Sequence, residues 1–137
     1  SADRTYRSKI CILPQRSTGI CGSYDAKRNV LTIVKYNQPG PDVTDYVNSM
    51  WELQEQPYGG DAINAYNDGP PEPGAAPLGP FYELETSSPA LELKAGESAA
   101  HIQETYHFEG EATDLDRLSQ ALLGVTLQEI QSALENE

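Results

Sequence analysis

The chain has 137 residues, a formal net charge of −12 and a hydrophobic fraction of 38%, enough for one core without covalent staples. So acidic a balance excludes a nucleic-acid interface that works by neutralising phosphates with Lys and Arg, and attraction to anionic membrane surfaces with it. No run reaches the ~20 apolar residues a membrane span needs and no leader-type segment opens the chain; Ser1-Ala2, without a Met, reads as a processed end or a cloning scar, and a cytoplasmic location is the default expectation.

Residues 8–13 read as a strand, followed by turn chemistry over 14–19. Residues 20–24 then lead through a polar turn into Val30–Tyr36, the most β-branched run of the chain, so that 20–36 forms a strand-turn-strand unit. Cys11 and Cys21 fall in the first two strands. A hairpin about residues 14–19 would bring the thiols together, either as a disulfide or as two reduced core cysteines. With no Cys-x-x-Cys pair and no histidine close in sequence, they do not read as zinc ligands. Residues 47–53 are a shorter strand candidate carrying Trp51, the one tryptophan. Residues 56–79, rich in Pro and Gly, read as a long loop packed through its tyrosines and Ile63.

Beyond the loop, 81–85 and 91–94 read as strands, 95–98 as a turn, and 99–108 as a long strand. Alternation along that strand puts Ala100, Ile102, Tyr106 and Phe108 on one face and His101, Gln103, Thr105 and His107 on the other. The end is helical. Thr113 is placed to cap a first helix whose apolar stripe is Leu115, Leu118, Leu122 and Leu123 and whose stop is Gly124. Thr126-Leu127-Gln128-Glu129 opens a second helix with a capping box. The expected fold class is mostly β, an antiparallel β-sandwich with two short C-terminal α-helices. It forms a single domain over 1–137, β-rich to residue 110 and helical over 113–135.

Glu83 and Glu85 stand at i and i+2 on a strand, so they share a face about 6.7 Å apart along it. Two close carboxylates can raise one another's pKa and supply an acid or base, and the spacing suits a glycosidase pair; a solvated strand face carries the same pattern. His101 and His107 lie six residues apart, roughly 20 Å along a strand, too far to serve one metal or act as one pair. Trp51, Tyr58, Tyr66 and Tyr82 suit either an aromatic platform for the apolar face of a sugar or ordinary packing. Asp61 and Asp68, beside glycines, suit either hydroxyl or cation binding or turn formation. No phosphate loop, nucleophile elbow or His-Glu-x-x-His motif is present.

The run Tyr82-Glu83-Leu84-Glu85-Thr86, then Pro89, Leu93-Lys94-Ala95-Gly96-Glu97 and Thr105-Tyr106-His107-Phe108, resembles the C-terminal part of aldose 1-epimerases (galactose mutarotases). That family has a Leu-Glu-Thr-Gln type strand, a Leu-x-Pro-Gly-Glu turn and a closing strand ending in Tyr-x-Phe. The remainder, including Tyr36-Asn37, Tyr46-Val47-Asn48-Ser49-Met50-Trp51-Glu52 and Tyr66-Asn67-Asp68-Gly69-Pro70, is similar to an uncharacterised bacterial family of the same supersandwich fold, longer than this chain. The resemblance implies half of a galactose mutarotase-like supersandwich, with Glu85 at the position of the base that takes the anomeric proton. The family's general-acid histidine lies upstream, in a part this chain does not contain; neither His101 nor His107 matches it, and Ser87 replaces the usual glutamine. A half-sandwich standing alone, as a short free-standing gene of the kind mobile gene cassettes carry, is expected to associate with a second copy as a homodimer.

The functional expectation is therefore a carbohydrate-facing protein that binds a sugar without full mutarotase activity, using no cofactor and no metal. Glu85 is its candidate catalytic residue, and Glu83, Trp51, Tyr82, Asp68 and His101 are its candidate ligand-binding residues. A structural or protein-interaction domain, and an epimerase-like enzyme with Glu85 as base, are the alternatives.

Overall fold

The structure, a computed structural model, describes residues 3–133. In chain order its elements are β1 (Ser8–Ile12), a 3-10 turn at Pro14–Arg16, β2 (Ile20–Asp25), β3 (Val30–Tyr36), β4 (Ile63–Asn67), β5 (Tyr82–Thr86), β6 (Gln103–Glu109), α1 (Ala112–Leu123) and α2 (Leu127–Ser132). The fold is mostly β, with two three-stranded antiparallel sheets and two short C-terminal helices, as the sequence predicts. The chain divides into two compact units: Ser1–Thr18 with Asn37–Ile102, and Gly19–Tyr36 with Gln103–Glu137.

The second unit holds the sheet ordered β2-β3-β6. The expected strand-turn-strand over 20–36 is its β2–β3 hairpin, closed at the Asp25–Val30 pair, where the Asp25 carboxylate accepts from the Lys27 and Arg28 N–H groups. β3 is central. Leu31 and Ile33 on one of its faces form a fully buried core with Leu115 of α1 and Leu127 of α2, and Ile20, Tyr24, Phe108, Leu118, Leu123 and Ile130 pack around it. Burial of this apolar face, rather than helix propensity, is what holds two helices of 12 and 6 residues.

Helix α1 starts one residue before Thr113. Glu111 is the N-cap, in extended backbone and with no side-chain bond, and its carbonyl accepts from the Asp114 and Leu115 N–H groups. Thr113 therefore sits inside the first turn instead of capping it. Gly124, in the left-handed conformation, ends α1 as expected, and both halves of the Thr126–Glu129 capping box open α2. Residues 134 and 135 of the expected helical segment lie outside the described residues.

The first unit holds the sheet ordered β1-β4-β5, with β4 between two edge strands. Its central strand lies within residues 56–79, which the sequence presents as a loop. Ile63-Asn64-Ala65-Tyr66-Asn67 is buried on both faces, so it lacks the apolar–polar alternation of a half-exposed strand. Its two asparagines place their amide N–H groups internally: Asn64 Nδ2 donates to Ser49 Oγ at 2.9 Å and Asn67 Nδ2 to the Tyr6 carbonyl at 2.9 Å, while the buried Asn67 Oδ1 has no partner among the described residues.

Residues 47–53 and 91–94 are not strands. Asn48 folds its side chain back onto the Met50 N–H, the turn chemistry of an Asx motif, while Val47, Met50 and Leu53 stay exposed without a strand partner. Leu91 and Leu93 are likewise exposed. The expected strand 99–108 forms only from Gln103, because Tyr36↔Gln103 is the last pair that β3 offers. Cys11 on β1 and Cys21 on β2 are both free thiols, and the strands that carry them belong to different sheets rather than to one hairpin.

Candidate functional site

Register decides which side chains share a face of the first sheet. Lys9 pairs with Tyr66 and Tyr66 with Glu83; Cys11 pairs with Asn64 and Asn64 with Glu85. Directly opposed residues of antiparallel strands point to the same side, so one face carries two rows, Lys9–Tyr66–Glu83 and Cys11–Asn64–Glu85. Both predicted glutamates thus stand together on the exposed edge strand β5.

Residues 49–51 fold over this face. The Lys9 ammonium donates to the Ser49 carbonyl at 3.2 Å, and Ser49 Oγ accepts from Asn64. These contacts hold Trp51 edge-on to Tyr66, with ring centroids 6.0 Å apart and planes at 77°. Phe81 flanks Tyr66 at 5.9 Å. The Lys9 ammonium lies 5.0 Å and the Arg7 guanidinium 6.0 Å from the centre of the indole, within cation–π range. Trp51 itself is 68% exposed. A large aromatic ring is held out to solvent on the buried ring of Tyr66, with the half-buried Arg7 and Lys9 beside it.

Two glycines let the backbone close up here. A Cβ on Gly60 would collide with the Val47 carbonyl, and one on Gly69 with the backbone of Tyr6 and Arg7, so only glycine allows either approach. The second brings Arg7 beside Asp68, Nε to Oδ1 at 4.0 Å. Asp68 is wholly buried; Tyr66 Oη donates to its Oδ1 at 2.6 Å and the Gly79 N–H to its Oδ2 at 2.8 Å. Burial alone would raise the Asp68 carboxyl, but hydrogen bonds from Tyr66 and from the Gly79 and Gly69 N–H groups, with Arg7 nearby, overcome that and hold it below its ordinary value. The same bond to Asp68, seconded by burial, raises Tyr66, with Arg7 opposing.

At the other row, burial pushes the Cys11 thiol up to about 11, helped by a hydrogen bond to Asp61 and by the charge of that carboxylate, with Lys9 opposing. Cys11 is therefore a protonated donor near neutrality, and its Sγ lies 2.9 Å from Asn64 Oδ1. It extends the chain Cys11–Asn64–Ser49 rather than acting as a nucleophile.

Of the predicted residues, the face brings together Glu83, Glu85 and Trp51, with Asp68 joined through Tyr66. Tyr82 alternates to the opposite face of β5. His101 follows it there, since its Nε2 lies 2.8 Å from Thr86 Oγ1, a residue of that opposite face. His107 meets Thr32 Oγ1 at 3.0 Å in the second unit. Sequence reasoning missed Lys9, Asn64, Ser49 and Arg7. Arg7 just before β1 and Lys9 and Cys11 on it do alternate in sequence, but that becomes a signal only once β1 is known to pair with β4.

Elsewhere, a shallow cavity of about 520 Å³ in the second unit is lined by Tyr24, Asp116, Arg117, Gln120 and Leu127 among others. Its Asp116 is already engaged by the Leu127 N–H at 2.8 Å and by Gln120 Nε2 at 2.6 Å. Among the described residues no group of three His, Cys, Asp or Glu is placed to hold a metal ion, and no helix is long and apolar enough to cross a membrane.

Residues 1–134 match the model of a family of unknown function (DUF6786). No curated protein and no solved structure matches the chain.

Proposed function

We propose that this chain, which belongs to that family of unknown function, binds carbohydrate on the Lys9–Tyr66–Glu83 face of its first sheet. The observation that carries the reading is Trp51: a solvent-facing indole propped on the buried Tyr66, beside a strand that presents two carboxylates. A pyranose has an apolar face and a rim of hydroxyls. The indole suits the first, and carboxylates, which accept strongly from hydroxyl donors, suit the second. Asp68, buried and fully engaged, serves by fixing Tyr66 rather than by touching the sugar.

The resemblance to aldose 1-epimerases gives Glu85 the base's position. The one histidine of the first unit, His101, is directed to Thr86 on the opposite face, so within that unit no histidine stands on the Glu85 side to act as acid, and the reading is binding rather than mutarotation. Titration calorimetry of a panel of mono- and oligosaccharides tests it. A saturable ligand is expected, and Trp51→Ala is expected to weaken it at least about tenfold, as loss of an anchoring aromatic does. A panel without binding at millimolar concentration, or binding indifferent to Trp51, sinks the proposal.

Self-association as a homodimer belongs to the same reading. Ile10, Leu91, Leu93 and Ile102 of the first unit are all more than a third exposed, more apolar side chain than an isolated acidic chain needs to present. Sedimentation velocity is expected to give twice the monomer mass at micromolar concentration; a monomer throughout would remove the idea.

A further inference from the structure

We propose that the site prefers sugars bearing a carboxylate, of the uronic acid class, over their neutral counterparts, with Lys9 as the contact for the acid group. The proposal rests on the carbohydrate-binding reading and deepens it.

The face is polarised. Its cations, Arg7 and Lys9, enter from the β1 side, and its carboxylates, Glu83 and Glu85, stand on β5. Arg7 already has a counter-ion in Asp68. Lys9 has none: among the described residues its ammonium forms no ion pair, and its one oxygen partner is the neutral Ser49 carbonyl. An uncompensated, half-buried ammonium stands out in a chain with 21 acidic and 9 basic residues, where surplus carboxylates are the cheapest partners available. Asp61, the acid that meets Cys11 in the neighbouring row, is engaged there.

A carboxylate brought in by the ligand supplies what Lys9 lacks, and the Lys9 ammonium already lies over the indole that would take the ring. Lys9 and Glu83 stand two strand spacings apart across Tyr66, about 9.6 Å. Tyr66 fills that span, so the sugar rests on the exposed Trp51 above it, with its carboxylate toward Lys9 and its hydroxyls toward Glu83 and Glu85. The reverse orientation sets like charges together on β5. Because the chain as a whole repels anions, the preference has to come from this short contact and not from long-range attraction.

The experiment compares trisaccharides of galacturonic, glucuronic and mannuronic acid with their methyl esters, which keep the ring and linkage and remove the charge. Calorimetry at low salt is expected to show at least one acid form binding about tenfold more tightly than its ester, the scale of a charge-assisted hydrogen bond. Raising the salt should narrow the gap. Lys9→Gln, which can still donate to the Ser49 carbonyl, should abolish it while an unchanged thermal midpoint shows the fold intact. Acid and ester bound equally, with Trp51→Ala still deleterious, overturns the acid preference and leaves sugar binding standing. Preference retained in Lys9→Gln overturns the role of Lys9. No binding of either form overturns this proposal together with the reading beneath it.

Discussion

Replacing Leu31 with alanine is expected to lower stability by about 2–5 kcal/mol, the range for truncating a fully buried leucine. Leu31 is completely buried near the start of β3, and the core it joins is small: Ile33, Leu115 and Leu127 are its buried neighbours. A cavity there has two short helices on one side, and neither makes a stable helix without the sheet. Urea unfolding followed by far-ultraviolet circular dichroism should show a lower midpoint with an unchanged slope. Leu122→Ala is the control. It belongs to the apolar stripe read from the sequence of α1 but is 38% exposed, so its cost should stay below about 1 kcal/mol. Equal losses from the two substitutions would mean that the sheet–helix core is not organised around Leu31.

That contrast shows what periodicity can and cannot supply. Leu115, Leu118, Leu122 and Leu123 share a helical face in the sequence, and the apolar stripe correctly announces a helix packed on something. Which of them reaches bottom depends on where β3 lies under the helix, which is a tertiary fact. The β2–β3 hairpin and the capping box of α2 were legible because their signals are local: a β-branched run beside a polar turn, and Thr and Glu three residues apart. β4 was not. A central strand covered on both faces has no alternation to announce it, and two asparagines among glycines and prolines imitate a loop until Ser49 and Tyr6 are seen to accept from their amide N–H groups.

The candidate site followed the same division. Glu83 and Glu85 share a face by arithmetic alone, and Trp51 stood out as the only indole. Lys9, Asn64 and Arg7 join them only through the pairing of β1 with β4. That contact is non-local, spanning more than fifty residues of chain, and no short-range pattern encodes it. His101, grouped with the site from sequence, was set on the other side of the sheet by a single step in the alternation of β5, from Glu85 to Thr86.

Asp68→Asn is expected to weaken both fold and site. The carboxylate accepts from Tyr66 on one oxygen and from the Gly79 N–H on the other; the amide keeps one acceptor oxygen, turns two N–H donors toward the remaining donors and leaves Arg7 without its counter-ion. A fall of several degrees in thermal midpoint follows, and sugar affinity should fall with it, because Trp51 rests on the ring that Asp68 anchors. The acid limb of stability supplies a second readout. Burial acts to raise the Asp68 carboxyl and its hydrogen bonds lower it further, so the folded value ends below the unfolded one, which is about 3.9. As pH drops the unfolded chain takes up the proton first. The contribution of Asp68 is therefore complete above about pH 4 and is lost as pH falls through the depressed folded value. Asp25 and Glu129, also held low by their hydrogen bonds, keep their share of that loss in the variant. Asp68→Asn should thus start from a lower stability near neutrality and lose less of it on acidification than the parent chain. Parallel acid limbs for the two proteins, or an unchanged midpoint at pH 7, would mean that Tyr66, and the indole leaning on it, are held by something other than this carboxylate.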